Sequence, residues 1–148
     1  VNETMELALI QAEKLNARIN TTIEPNLPAM NGDSVMLEQL LLNLLKNAME
    51  AVQPCPNHTI DLDVRLHESG SFIQFRVADH GTGIPDDAKT MLFDAFYSTK
   101  DEGMGMGLNI CRSIVEVHHG RIVISDTPGG GATFTFTVPV AREHPDLM

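Results

Sequence analysis

Basic residues are scarce in this chain: ten Lys and Arg stand against twenty Asp and Glu, a formal charge of −10. A nucleic-acid surface needs clustered Lys and Arg, so no nucleic-acid partner is expected. Cysteine is scarcer still. Cys55 and Cys111 stand without metal-type spacing, and they read as reduced, inert thiols in a cytoplasmic setting. No apolar run approaches the roughly 20 residues that span a bilayer. The first residues lack the basic-then-apolar layout of a signal peptide. A cytoplasmic chain is expected, which leaves open a longer, membrane-anchored parent. Repeats and low-complexity segments are missing as well. What is present is 148 residues, 43% apolar and 20% charged, enough for one domain with a real core.

The chain is organised around the stretch from Asp33 to Val52, an apolar helix with Asp33 as N-cap and Pro54 as stop. Most of its surface is Leu, Met, Val or Ala. Gln39, Asn43, Asn47 and Glu50 nevertheless fall on one face, at i, i+4, i+8 and i+11. Burying that stripe without partners would cost about 1–3 kcal/mol per group. Something polar is therefore expected to fill the face, and the magnesium-bound phosphate tail of a nucleotide fits it.

Residues 3–18 have a helical period, and residues 19–24 read as a short strand ended by Pro25 and Pro28. His58 to Glu68 and Phe72 to Val77 alternate as two strands joined at Ser69, Gly70 and Ser71. A polar loop opens at Asp79, and a short helix starts at Pro85. From Leu92 to Met106 no period survives, which reads as a mobile flap. Gly105 to His118 is a helix closed by Gly120 as its C-terminal cap. Strands at 121–125 and 133–138 flank Gly129, Gly130 and Gly131, and the tail after Pro139 is expected to fray. The expected fold is α/β: a two-layer α+β sandwich, with a mixed sheet of about five strands and three principal helices.

Several stretches have the residue types for phosphate chemistry. Asn43 and Asn47 offer neutral, hard oxygens suited to Mg²⁺, although two asparagines can equally cap a neighbouring loop. Asp79 leaves a strand into His80, Gly81, Thr82 and Gly83, so a carboxylate can accept from an amino group such as adenine's while glycines let the backbone approach a flat ligand. The same residues also make an ordinary Asx turn. Gly103, Gly105 and Gly107 run into a helix, where bare N–H groups make an anion site that needs no Lys or Arg. Neither a Rossmann fingerprint nor a Walker A loop fits that run. Lys100 is the cation beside it. His118 and His119 lie near a helix end and answer its dipole. No histidine is assigned to a metal, since His67 and Glu68 lack the helical His-Glu-x-x-His pattern.

Taken in order, these stretches resemble the ATP-binding catalytic domain of sensor histidine kinases, within the gyrase, Hsp90, histidine-kinase and MutL superfamily. Asn43 to Asn47 resembles the N box and Asp79-x-Gly81-x-Gly83-Ile84 the G1 box. Phe93-x-x-Phe96 resembles the F box, Gly103-x-Gly105-x-Gly107-Leu108 the G2 box, and Gly129-x-Gly131-Ala-Thr133 the last glycine box. The Ser-Thr-Lys100 lid is similar to that of the nitrogen-regulator and oxygen-sensor branch. His80, Ala95 and Met104 depart from the family's usual Asn, Pro and small hydroxyl residue.

The resemblance implies a Bergerat-type fold, its helices on one face of the sheet and a flexible ATP lid at about 92–106. It implies ATP and Mg²⁺ as ligands, with Asn47 on the metal and Asn43 on phosphate or the metal shell. Asp79 would take the adenine amino group with Thr133 nearby, and Gly81, Gly83, Ile84 and Phe96 would line the pocket. Lys100, Gly103, Gly105, Met106, Gly107 and Leu108 would hold the triphosphate. Residues 1–30 would lead in from missing dimerisation helices, 30–140 would form the catalytic domain, and 141–148 its tail. The partners implied are the histidine-containing dimerisation domain of the parent kinase and a response regulator receiver domain, with the fragment itself monomeric. Where gyrase-type ATPases carry a water-activating Glu this chain has Asn43, an amide that cannot act as a general base. Transfer to histidine is thereby favoured over hydrolysis. The alternatives are a nucleotide-gated interaction module, or pseudokinase, and a superfamily ATPase.

Overall fold

A computed structural model describes residues 6, 10, 12–14, 16–28, 34–81, 83 and 104–140, with backbone alone at 34 and 104–109. The expected N-cap Asp33, the helix at Pro85 and the flap from 92 to 103 lie outside the described residues, as does the tail.

Five strands form one mixed sheet in the order β1-β2-β3-β5-β4. They are β1 (Arg18–Ile23), β2 (Thr59–Leu66), β3 (Phe72–Asp79), β4 (Ile122–Asp126) and β5 (Ala132–Pro139). β1 runs parallel to β2, and every other pair is antiparallel. Two helices follow from their apolar periods, α1 (Ser34–Ala51) and α2 (Met104–Val117). Glu6, Ile10, Ala12, Glu13 and Lys14 are also helical, and Ala12 is buried. That first helix stops short of the expected residue 18, because Asn16 turns left-handed (φ 56°) and Ala17 N–H returns to Ala12 O at 2.8 Å.

Period-two alternation divides the sheet into two faces. The inner face carries Ile60, Leu62, Val64, Ile73, Phe75, Val77, Phe134, Phe136 and Val138, all buried. Phe75 and Phe136 lie opposite each other in the β3–β5 ladder, with rings stacked 4.7 Å between centroids. Leu37, Leu40, Leu41, Leu44, Leu45, Met49 and Val52 of α1, and Cys111, Ile114 and Val115 of α2, complete this core. The outer face presents Asn20, Asp61, Asp63, Arg65, Gln74, Arg76, Thr135 and Thr137, as register with the buried set requires. The expected hairpin closes through Gly70 (φ 78°), whose N–H reaches His67 O at 2.8 Å.

The end of α2 differs from expectation. His119, not Gly120, adopts the left-handed cap (φ 64°), and Gly120 N–H bonds Val115 O at 2.9 Å as the following residue of the motif. Gly120 serves a different need. A Cβ there would stand 1.9 Å from Thr137 O, so only a bare backbone can pass so close to β5.

Candidate nucleotide site

Asp79 continues the inner-face alternation of β3 to its last residue, so a carboxylate is carried into the core. Its Oδ1 accepts from Gly81 N–H at 2.9 Å and from Ala132 N–H at 3.1 Å. Burial pushes the carboxyl's pKa up, and the Gly81 and Ala132 bonds, then the charge of His80, pull against that. Among the described residues both bonds fall on Oδ1. Oδ2 is left to accept from a donor such as an exocyclic amino group. His80 itself turns outward, Nε2 3.2 Å from Asp61 Oδ2.

Glycines allow three backbones to converge here. A Cβ on Gly81 would lie 2.5 Å from Ala51 O, at the last turn of α1. One on Gly131 (φ 117°) would lie 2.1 Å from Asp79 O. The loop after β3, the turn before β5 and the end of α1 are therefore pressed together around the carboxylate.

Asn47 lies one helical turn before Ala51, on the same face of α1. Its Nδ2 is buried and has no hydrogen-bond partner among the described residues. Asn43, another turn back, hydrogen-bonds through its side chain to the Cys111 thiol of α2, which burial pushes up to about 12 against that bond. Glu50 is half-buried and Gln39 is exposed. The polar stripe is thus exposed at Gln39 and half-buried at Asn43, Asn47 and Glu50.

α2 begins at Met104, so Gly105 and Gly107 stand in its first turn and not in a loop before it. Those first-turn N–H groups have no acceptor within the helix, which leaves an anion-seeking end. Met106 and Leu108 are described by backbone alone. Ile84, Phe96, Lys100 and Gly103 lie outside the described residues. Gly83 (φ 80°) faces Gly131 O, 3.5 Å from its would-be Cβ.

Thr133 sits away from the carboxylate. It pairs with Ala78 and Ser125, on the sheet face opposite Asp79, and its hydroxyl is 2.9 Å from Thr127 Oγ1. The contact beside Asp79 comes from Ala132 through its peptide nitrogen. Sequence reasoning missed this residue, along with Ala51 and Cys111. Backbone donors and long-range thiol contacts leave no periodic signal. Among the described residues no cluster of His, Cys, Asp and Glu could hold a metal, and no helix is long and apolar enough to cross a membrane.

Residues 32–142 match the family model described as histidine kinase-, DNA gyrase B- and HSP90-like ATPase. The C4-dicarboxylate transport sensor protein DctS of Rhodobacter capsulatus is 43% identical over 141 residues, covering 95% of this chain and 22% of that protein. The sensor protein FixL of Bradyrhizobium diazoefficiens is 36% identical over 144 residues, covering 97% and 28%. The chain thus spans about a quarter of the length of these relatives. Among solved structures, the nucleotide-free catalytic domain of histidine kinase ThkA superposes with a TM-score of 0.81 at 27% identity, covering 94% of this chain and 89% of that one. Full-length ShkA in complex with AMPPNP gives 0.81 at 29% identity, covering 95% and 29%. The buried Asp79, the glycine-permitted convergence around it and the asparagines of α1 are thus the local features of a chain that belongs to the histidine kinase-, DNA gyrase B- and HSP90-like ATPase family, as an ATP-binding catalytic domain of the sensor histidine kinase kind.

Proposed function

We propose that this domain binds Mg²⁺–ATP and donates the γ-phosphoryl group to a histidine on the dimerisation domain of its parent kinase, for relay to a response regulator receiver domain. The observation that carries the reading is the buried Asn47 Nδ2, without a hydrogen-bond partner among the described residues, on the α1 face whose next turn touches Gly81 beside Asp79. A buried donor or acceptor without a partner costs about 1–3 kcal/mol, so the position calls for a ligand. Nδ2 offers a donor to a phosphate oxygen, and the same amide turned over offers Oδ1 to a cation.

The donor set fits a hydrated Mg²⁺, which takes one or two protein oxygens plus phosphates and waters. Asn47 would ligate it, with Asn43 in its shell. When bound, the ion neutralises the charge of the phosphate oxygens. Asp79 Oδ2 selects the base by accepting from its amino group, and the first turn of α2 together with Lys100 steadies the triphosphate. Such positioning and charge neutralisation are most of what phosphoryl transfer asks of a protein. Asn43 is neutral and engaged with Cys111, so no carboxylate at that position drives water onto the phosphate. That favours a histidine acceptor over rapid hydrolysis.

Residues 1–30 would connect to dimerisation helices supplied elsewhere, 30–140 would be the catalytic domain, and the fragment alone would be monomeric. The test is to mix the domain with a phosphoacceptor domain and γ-labelled ATP. Acid-labile phosphohistidine on the acceptor is the expected product. Nucleotide binding without transfer would replace the reading with a nucleotide-gated module, and vigorous acceptor-free hydrolysis would replace it with an ATPase.

A further inference from the structure

At the end of the sheet remote from Asp79, the outer face carries a cavity of about 440 Å³. It is lined by His67, Phe72, Gln74, His119, Gly120, Arg121, Val123, Thr135 and Thr137. The lining contains no Asp or Glu, although the chain holds twenty. It gathers Arg121 and two of the six histidines, and the register sets Arg76 beside Thr135 on the same face. Among the described residues Arg121 has no acidic partner, whereas Arg65 on that face is spent on Asp63, which the register sets opposite Arg76.

The groove is built. Gly120 lets the backbone pass against Thr137, where a Cβ would meet its carbonyl oxygen at 1.9 Å. Arg121 is then fixed by two bonds to the same residue, N–H to Thr137 Oγ1 at 3.1 Å and carbonyl from Thr137 N–H at 3.0 Å. His119 is held on the rim in a left-handed conformation that non-glycine residues adopt rarely. On the opposite rim His67 accepts Ser69 N–H through Nδ1 at 3.1 Å and stands 3.0 Å from Ser69 Oγ, which leaves Nε2 as the ring's donor.

We propose that this groove is a docking site for an acidic segment of a partner protein, with carboxylates at both rims and an apolar side chain between them. Its position on the face away from α1 and α2 makes it independent of the nucleotide reading. The rims choose a chain over a single ion. His67 follows β2 and Arg121 precedes β4, three strand spacings or about 14 Å apart. One small anion cannot span that width, whereas an extended peptide of four or five residues does, at roughly 3.3 Å per residue. Phe72 and the half-exposed Val123 supply the apolar floor between.

The probe is the peptide acetyl-Asp-Glu-Leu-Asp-Glu-amide, titrated into the ¹⁵N-labelled chain. The amides of Gln74, Arg121, Thr135 and Thr137 are expected to shift, and the Asn/Gln counterpart peptide is expected to leave them unmoved. Arg121→Glu, at an exposed side chain, should weaken the peptide about tenfold or more. His119→Asn, which tolerates the same backbone, should weaken it less, and nucleotide affinity should hold in both. The proposal is overturned if the acidic peptide moves none of these amides, if the neutral peptide moves them equally, or if binding survives in Arg121→Glu. Saturation of the same amides by inorganic phosphate at no higher concentration than the peptide would make this a small-anion site and would equally end the proposal.

Discussion

The two ends of the proposed nucleotide site are finished to different degrees. Around Asp79 the fold supplies the partners itself: two peptide N–H groups meet Oδ1, and bare glycine backbones close the space around it. Along α1 the work is half done, since Asn43 is engaged by Cys111 while Asn47, one turn on, keeps a buried nitrogen with no partner among the described residues. The contrast separates two kinds of dependence. At the proposed base end structure and recognition would share the same atoms, so damage to one would be damage to both. At the phosphate end the fold engages Asn43 and leaves Asn47, the proposed metal ligand, without a partner among the described residues.

Gly131 is where that difference should show most strongly. Replacing Gly131 with Ala places a Cβ about where Asp79 O already stands, on a backbone at φ 117°. The β3–β5 junction cannot relax without moving Asp79, so a loss of about 3 kcal/mol or more is expected in urea unfolding. Nucleotide binding should fall with it. Asn47→Ala should do the opposite. Mg²⁺–nucleotide affinity is expected to drop by about 10–100-fold in calorimetry, with stability unchanged to within about 1 kcal/mol because no protein partner is abandoned. Equal damage to stability from both substitutions would erase the distinction between the two ends.

Asp79→Asn sharpens the comparison from within the base end. An amide oxygen can still accept from Gly81 and Ala132, but its other atom becomes a donor facing a donor, and a loss of about tenfold or more in adenine nucleotide affinity is expected. Stability should respond differently. Burial raises the carboxyl's pKa above its usual 3.8, so the folded form holds its proton more tightly than the unfolded chain. The contribution of that group is complete below the unfolded value and is lost as pH rises through the folded one. Asp79→Asn removes the group whose ionisation burial opposes and keeps an acceptor for Gly81 and Ala132, so it should unfold no more readily than wild type in thermal melts at pH 7. A clear destabilisation would mean that the ionised carboxylate itself holds the two loops.

Much of this arrangement was legible in the residues. The alternation of Ile60, Leu62 and Val64, then of Ile73, Phe75 and Val77, located β2 and β3, and the apolar period located α1 and α2. The order of the motifs from Asn43 to Gly131 marked the family by resemblance. What escaped was carried by backbone atoms or by contacts distant in sequence. Nothing local indicates that Ala132 N–H meets Asp79, that Thr133 turns to Thr127, or that Cys111 reaches Asn43 across two helices. The α2 cap was misplaced because glycine is the usual left-handed residue there. Gly120 was needed next door for clearance against Thr137, and His119 took the turn.

Cys111 gives the finest test, since it touches the phosphate end from behind. Its side chain is fully buried, and the thiol is pushed up from 9.0 to about 12 by burial, with the Asn43 bond acting against the rise. Such a thiol should resist iodoacetamide in the native state at pH 8 while the half-exposed Cys55 reacts. The pH dependence has a definite sign. Because the unfolded thiol ionises first, the stabilisation is complete below about pH 9 and is lost as pH rises from there towards 12, at about 1.4 kcal/mol per pH unit. Urea melts of wild type and Cys111→Ala should therefore draw together between pH 8 and about 10. If the gap stays constant, the thiol is not held protonated by the fold, and Asn43 is not fixed from α2 in the way that distinguishes it from Asn47.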